Sequence, residues 1–384
     1  MSTARISPPS RLRRFFTDSA VFQWQNQSLR ADLIFTLPVA ICLGGGVAMG
    51  HPVVGLITAG GAMNTGFGHK QSIDESPLLP MIFVTLGMAF SGFVGVLIGH
   101  ENLLLVFTAA LWGFGYGMLT ARPGGYGWVG QQCVITFLVA SAFPAPLVAA
   151  GERGLLLLAG GALQLVLSAL MLHVFGDLRT RLWQLEHYLR EEQRALRCAV
   201  RETAASLRQR RFVNSAIPYS LRLAVTVGVG TEVYRRLHYP SGYWIPMTAL
   251  LVLKPAVTDT VSRAVARALG TIGGAVLVSF GLAHVQASPM VLAGLTALFA
   301  WLSYGLLNVN YALFSVCITG YIVFLLSLNE LPGPEIAARR AFCTLVGAAI
   351  SLAVRLAVIS HNRAHWRRAA AVHRGLIPER LPAE

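Results

Sequence analysis

Charged residues are scarce in this sequence. Asp, Glu, Lys and Arg make up only 12% of its 384 residues, whereas hydrophobic residues make up 54%. Soluble domains carry about 25% charged residues, and the mean hydropathy here is positive, at +0.58. This shortage of charge excludes an ordinary soluble domain and indicates that most of the chain lies in lipid.

Lysine is almost absent, although the chain is strongly basic. The formal net charge is +14, and only two of the 31 basic residues are Lys. The arginines concentrate in polar stretches at the two ends and in the centre of the chain, a distribution typical of a cytoplasmic membrane face. No RNA-binding signature, zinc-ligand spacing or aromatic-interleaved basic groove accompanies the charge, so we expect no nucleic-acid partner.

The motifs of common catalytic and cofactor sites are also missing. The five cysteines are far apart and form no CxxC pair, which predicts neither a disulfide nor a metal site. The sequence has no Walker A motif, no HExxH, no GxSxG and no catalytic carboxylate pair. We therefore predict that the protein is not an enzyme and that it has no catalytic residues, no metal and no cofactor.

Apolar segments of about 20 residues, the length of helix that crosses a bilayer, recur along the chain. They predict an all-α, polytopic transmembrane bundle of about twelve spans, separated by short Gly, Pro and charged loops. The predicted spans are 31–49, 52–68, 80–99, 102–120, 131–149, 154–175, 217–234, 241–257, 265–284, 288–307, 310–328 and 337–358.

The predicted spans and the polar stretches divide the chain into five parts. Residues 1–30 form a cytoplasmic tail rather than a signal peptide, and residues 31–175 form a first transmembrane repeat. A cytoplasmic amphipathic connector covers 176–216, a second transmembrane repeat covers 217–358, and a cytoplasmic tail covers 359–384. The positive tails place both termini in the cytoplasm of a multi-pass membrane protein.

The central connector has one apolar stripe. Leu182, Leu185, Leu189 and Leu196 follow helical spacing, and Glu192 interrupts it. One interpretation is a helix that packs on its own neighbours, and the alternative is a subunit contact in a homo-oligomer.

The two hydrophobic halves resemble each other. Thr58-Ala59 aligns with Thr248-Ala249 at an offset of 190, and Leu86-Gly87 aligns with Leu269-Gly270 at an offset of 183. Each half then contains six spans. Because six is an even number, the two repeats insert in parallel orientation about an axis along the membrane normal.

Paired spans interrupted by Gly or Pro indicate a transport site, and the second span of each half has this character. At the offset of 190, Asn64 aligns with Lys254. An ammonium within a membrane attracts an anion, although Lys254 could instead extend to the cytoplasmic interface. Pro255 frees a backbone carbonyl, which fits a broken helix beside a cavity and also an ordinary helix end.

Three further residues have two interpretations each. Tyr243 and Trp244 could stack on an aromatic substrate or belong to the aromatic belt at the membrane interface. Glu232 could carry protons if it is buried, or it could pair with Arg235 or Arg236 near the outer surface.

Two segments resemble the fusaric-acid-resistance family, which includes the aromatic acid exporters of bacterial inner membranes. These segments are GYWIPMTALLVLKP at 242–255 and RAVARALGTIGGAVL at 263–277, where Arg267, Gly270, Thr271 and Gly274 fill the family pattern. The resemblance covers about 217–358 and extends, more distantly, to plant channels that conduct malate. It implies proton-driven export of aromatic or amphipathic carboxylic acids from a bacterial inner membrane, with a periplasmic adaptor as a further partner. The larger exporters have a bigger cytoplasmic domain where this chain has its connector.

These observations predict a secondary exporter of small organic acids. Lys254 and Arg267 would supply positive potential for the carboxylate, Asn64 and Thr248 would line the same cavity, and Tyr243 and Trp244 would face its apolar part. Glu232 would couple transport to protons. The alternatives are a passive organic-anion channel built on the same cavity and a non-transporting membrane scaffold that recruits partners or anionic lipids.

Overall fold

Helices make up almost all of the computed structural model. It describes residues 15–74, 76–99, 102–174, 210–284, 288–329 and 332–373, together with 191, 193–194, 196–198 and 201. Most of the predicted connector, including Leu182, Leu185 and Leu189 of its stripe, lies outside the described residues, as do residues 1–14 and 374–384.

Twelve helices of nine or more residues follow one another in the described part of the chain. The first six are α1 (Leu29–Ala48), α2 (Pro52–Gly66), α3 (Leu78–Ile98), α4 (Leu103–Thr120), α5 (Tyr126–Ser141) and α6 (Leu147–Val174). The second six are α7 (Arg210–Leu237), α8 (Trp244–Val252), α9 (Val257–His284), α10 (Pro289–Leu306), α11 (Tyr311–Ser327) and α12 (Gly333–His373). No strand occurs among these residues, which confirms the all-α prediction for them.

Seven of these helices are long and apolar enough to cross a membrane: α1, α3, α4, α6, α9, α10 and α12. They establish a multi-pass membrane protein. Helices α2, α5 and α11 are only 15, 16 and 17 residues long, and α7 carries several arginines. The count of twelve spans therefore stays a prediction.

The largest departure from the predicted spans is at 241–257. Helix α8 has only nine residues, and its C-cap, Leu253, is extended with φ −65° and ψ 121°. Pro255 lies two residues further on, where its ring and its missing N–H oppose continuation of the helix. The chain leaves the helix here, as both interpretations of Pro255 require, and Lys254 lies in the non-helical segment.

The two sets of six helices pack by the same scheme. Every helix pair that packs within the first set has its counterpart in the second: α1 with α2 corresponds to α7 with α8, α2 with α6 to α8 with α12, and α3 with α5 to α9 with α11. The main contacts between the sets are α4 with α7 and α1 with α10. Each of these contacts becomes the other when every helix is replaced by its counterpart in the other set. The packing thus has an approximate two-fold relation.

Glycines allow the second and sixth helices of each set to approach closely. A Cβ on Gly160 would overlap the carbonyl oxygen of Thr58, and a Cβ on Gly347 would lie 2.8 Å from the Cβ of Thr248. Thr58 and Thr248 are the residues that the offset of 190 aligns. Close approach at small residues replaces the hydrophobic effect as a source of helix association in lipid.

We expect Gly160→Ala to destabilise the protein by about 1–3 kcal/mol, because the new methyl group must displace the α2 backbone. Gly151→Ala is the matched control on α6, because its Cβ would meet nothing within 4 Å. Thermal unfolding in detergent should show a lower midpoint for Gly160→Ala alone. Equal midpoints for the two variants would contradict this close packing.

Candidate functional site

A cavity of about 660 Å³ lies between the two sets of helices. Its walls come chiefly from α2 and α5 of the first set and from α8, α9 and α11 of the second. Most lining side chains are apolar, such as Met63, Ile135, Met247 and Ile318. The volume and the mostly apolar lining are those of a site for a small organic molecule.

One end of the cavity is basic. Lys254, Arg263 and Arg267 line it together with Tyr311, whose ring centroid is 3.8 Å from the Arg263 guanidinium carbon. Asp18 pairs with Arg263 at 3.3 Å, whereas Lys254 and Arg267 form no ion pair with any described residue. Arg267 is only 4% exposed, and its Nε has no hydrogen-bond partner among the described residues. This end therefore presents an excess of positive charge to the cavity.

Lys254 lies on an ordered, non-helical segment. The Tyr219 hydroxyl donates to the carbonyl of Leu253 (3.2 Å), and Arg355 donates to the carbonyl of Pro255. The Thr260 hydroxyl accepts from the Lys254 N–H (3.1 Å) and donates to the carbonyl of Ala256 (2.9 Å). Side chains of three other helices thus satisfy the backbone groups that the break exposes, as burial in a membrane requires.

Amide side chains occupy the walls beyond the basic end. Asn64 on α2 and Gln131 and Gln132 on α5 line the cavity, and the Tyr116 hydroxyl donates to Oε1 of Gln131 at 3.2 Å. Amides donate and accept hydrogen bonds without adding charge. They can therefore orient a polar substituent of a bound molecule.

The opposite end is aromatic. Tyr243 and Trp244 line it, and the Tyr243 ring centroid is 6.3 Å from that of Phe143. The Arg153 guanidinium lies 5.0 Å from the Phe143 ring centroid. Tyr243 and Trp244 thus give the cavity aromatic surface of the kind on which an aromatic molecule can stack.

Arg340 lies behind the aromatic wall. Its guanidinium carbon is 4.0 Å from the Trp244 ring centroid, and its Nε donates to Thr319 Oγ1 at 3.2 Å. The residue is 1% exposed, and both terminal nitrogens lack a partner among the described residues. Arg340 lies near the start of the predicted span 337–358 and, in the structure, within α12, where protein shields it.

Five of the seven predicted site residues line this one cavity: Asn64, Tyr243, Trp244, Lys254 and Arg267. Thr248 does not, because it follows Met247 by about 100° around α8 and faces Gly347 of α12 instead. Their roles in binding stay predictions.

Glu232 lies outside the cavity lining. Its carboxylate accepts from Arg235 at 2.8 Å and from Arg236 at 2.5 Å. The predicted alternative of an arginine pair at Glu232 is therefore present, and a carboxylate held by two guanidinium groups is a poor proton carrier.

Sequence reasoning missed Arg263, Tyr311 and Gln131 as site residues. Arg263 and Arg267 are four residues apart and so share one face of α9, which is the signal that could have identified Arg263. Tyr311 begins a helix, and nothing in its local sequence distinguishes it from an interfacial tyrosine.

Comparison with known proteins finds a family match for part of the chain. Residues 228–354 match the family described as fusaric acid resistance protein-like, which confirms the resemblance seen in the sequence. An uncharacterized protein of Synechocystis, slr1298, is 30% identical over 145 residues, which are 38% of this chain and 19% of that protein. The uncharacterized protein YhfK of Escherichia coli is 32% identical over 130 residues, 34% of this chain and 18% of that protein.

The matched segments thus span less than a fifth of each of these two relatives. No solved structure matches the chain.

Thr260→Val should loosen the segment that holds Lys254, because the Thr260 hydroxyl is the partner of the Lys254 N–H, which would lose its hydrogen bond. We expect a loss of about 1–3 kcal/mol of stability, measured as a lower unfolding midpoint. Thr258→Val is the matched control, since its exposed hydroxyl contacts only the neighbouring Asp259. A loss of the same size in both variants would refute the role assigned to the Thr260 hydroxyl.

Proposed function

Since residues 228–354 belong to the fusaric-acid-resistance-like family, we propose that this membrane protein is a secondary transporter. It exports small organic anions, chiefly aromatic or amphipathic carboxylic acids, from a bacterial inner membrane with the aid of the proton gradient. The observation that carries the proposal is one cavity with a cationic end and an aromatic end between two similarly packed sets of helices.

The distances within the cavity favour binding in two stages. Tyr243 and Lys254 lie beyond the two ends of α8, whose nine residues alone correspond to roughly 14 Å of helix. A single-ring acid cannot reach both residues. Arg267 is one helical turn from Arg263 and close enough to Arg340 for their charges to interact, and Arg340 stacks on Trp244.

We therefore assign different roles to the cations. Lys254 and Arg263 attract the anion electrostatically, and Arg267 holds the carboxylate where the ring can stack on Trp244. Asn64 contributes hydrogen bonds from the opposite wall.

The equivalent packing of the two sets supports two six-span repeats in parallel orientation, with both termini in the cytoplasm. In such transporters one repeat rocks against the other around a fixed site. The α4–α7 and α1–α10 contacts would then be the surfaces that move. A periplasmic adaptor and self-association of the chain stay predictions.

Arg267→Gln should weaken binding of an aromatic acid by roughly ten- to a hundredfold, because a hydrogen bond to a charged group contributes about 1.5–3 kcal/mol. Lys254→Gln should mainly slow uptake into the cavity, and Lys254→Arg should restore it. The measurement is concentration-dependent flux of a radiolabelled aromatic acid into proteoliposomes. Arg236→Gln is the control, because Arg236 is exposed and is not among the residues that line the cavity. Unchanged flux in both cavity variants would refute the site.

The same proteoliposomes separate the proposed exporter from the alternatives. Accumulation against a concentration gradient when a pH gradient is imposed supports proton-coupled transport. Movement down the concentration gradient alone supports a passive channel. No movement of any acid tested would refute the transporter and leave the scaffold.

A further inference from the structure

A buried cluster of charged side chains lies beside the cavity, at the end of α2. Asp32 of α1 meets His69 and Lys70, which belong to the 3₁₀ turn Phe67–Lys70 that follows α2. The side chains of Asp32, Lys70 and His69 are 1%, 8% and 13% exposed. Charged groups buried this deeply in a membrane protein are costly and mark functional sites.

Each oxygen of the Asp32 carboxylate accepts hydrogen bonds. Oδ2 accepts from Lys70 Nζ at 2.7 Å and from the Ser28 hydroxyl at 2.6 Å, and Oδ1 lies 2.9 Å from His69 Nε2. Lys70 also donates to the carbonyl of Tyr304 on α10. A carboxylate with so many donors is held in its ionised form.

Both ring nitrogens of His69 face hydrogen-bond acceptors. Nε2 faces the Asp32 carboxylate, and Nδ1 faces the carbonyl oxygen of Gly66 at 2.5 Å. Both contacts can be hydrogen bonds only when both nitrogens carry a proton, that is, when the ring is an imidazolium ion. In that form the cluster holds two cations on one carboxylate.

Loss of one of these ring protons would change the end of α2. The Nε2 proton stays on the ring, where it is hydrogen-bonded to Asp32. The Nδ1 proton therefore leaves to water, and the ring becomes neutral. The Nδ1 lone pair would then face the lone pairs of the Gly66 carbonyl, which is repulsive at this distance. Phe35 stacks on the ring at 3.8 Å between centroids and prevents it from turning away.

This end of α2 is also cavity wall. Asn64, Phe67 and Gln71, on either side of Gly66 and His69, line the cavity. The Tyr304 hydroxyl donates to the carbonyl of Met63 at 2.8 Å, which connects the same wall to α10. A displacement of Gly66 thus reaches the cavity and the α1–α10 contact between the two sets.

We propose that His69, held by Asp32, is the proton-binding residue of this protein and that its protonation moves the α2 wall of the cavity. This inference rests on the proposed function for its role in transport, and it assigns proton coupling to His69 instead of Glu232. The other groups that face the ring are Asp32 and Ser28 of α1, Lys70 of its own turn and Tyr304 of α10.

The first test needs no substrate. In a Gln71→Cys protein, peptide-resolved mass spectrometry follows the reaction of position 71 with a water-soluble thiol reagent, so the native cysteines can stay. After correction for the thiolate fraction, we expect a step in rate when the pH is scanned from about 5 to about 8. Loss of one hydrogen bond worth about 1.4 kcal/mol corresponds to a roughly tenfold change in the reaction rate at position 71.

Adding His69→Gln should abolish the step, whereas adding His51→Gln, an exposed histidine in the α1–α2 connection, should preserve it. The absence of any step in Gln71→Cys itself overturns the inference, even if His69→Gln does not fold. A step that persists in folded His69→Gln overturns it equally.

The second test uses transport. In proteoliposomes, His69→Gln should retain exchange of labelled for unlabelled acid and lose accumulation driven by a pH gradient, whereas His51→Gln should retain both. Accumulation by His69→Gln at the parent level overturns the inference. If the parent protein moves no acid, the proposed transport function fails, and the thiol-reactivity profile still decides whether His69 controls the α2 wall.

Discussion

Backbone polar groups that leave a helix inside a membrane must find partners within the protein, and the site depends on how this chain meets that constraint. The α8 helix stops after nine residues, and Tyr219, Thr260 and Arg355 then satisfy the backbone of the break. Without these partners the segment would have to be helical or solvated. With them, it can carry Lys254 at the cavity wall.

The corresponding end of α2 in the first set is stabilised differently. Ionic side chains hold it in place, with Asp32 between Lys70 and His69. The two sets share a packing scheme. In the proposals made above, the second set supplies the cations for a carboxylate and the first supplies a group that exchanges a proton. An approximately symmetric bundle would then have one binding site and one site for coupling.

Helix positions were predictable to a large extent, since apolar runs of bilayer length leave few alternatives. The alignment of Thr58 with Thr248 also corresponds to equivalent glycine contacts in the structure. Predictions that required helix rotation were less secure. Thr248 is adjacent in sequence to the cavity-lining Met247 and yet faces α12 instead of the cavity.

By itself the sequence determined the class of protein and the order of its helices, because composition and segment length are local properties, and it left Pro255 with two interpretations. Only the tertiary structure decided which side chains face one cavity and which groups pair. It brought Tyr311 to Lys254 and Arg263, and Asp32 to His69 and Lys70. These residues are far apart in the chain, and their meeting depends on how packed helices rotate against one another. That rotation is set by packing at glycines and by buried polar contacts rather than by hydrophobicity.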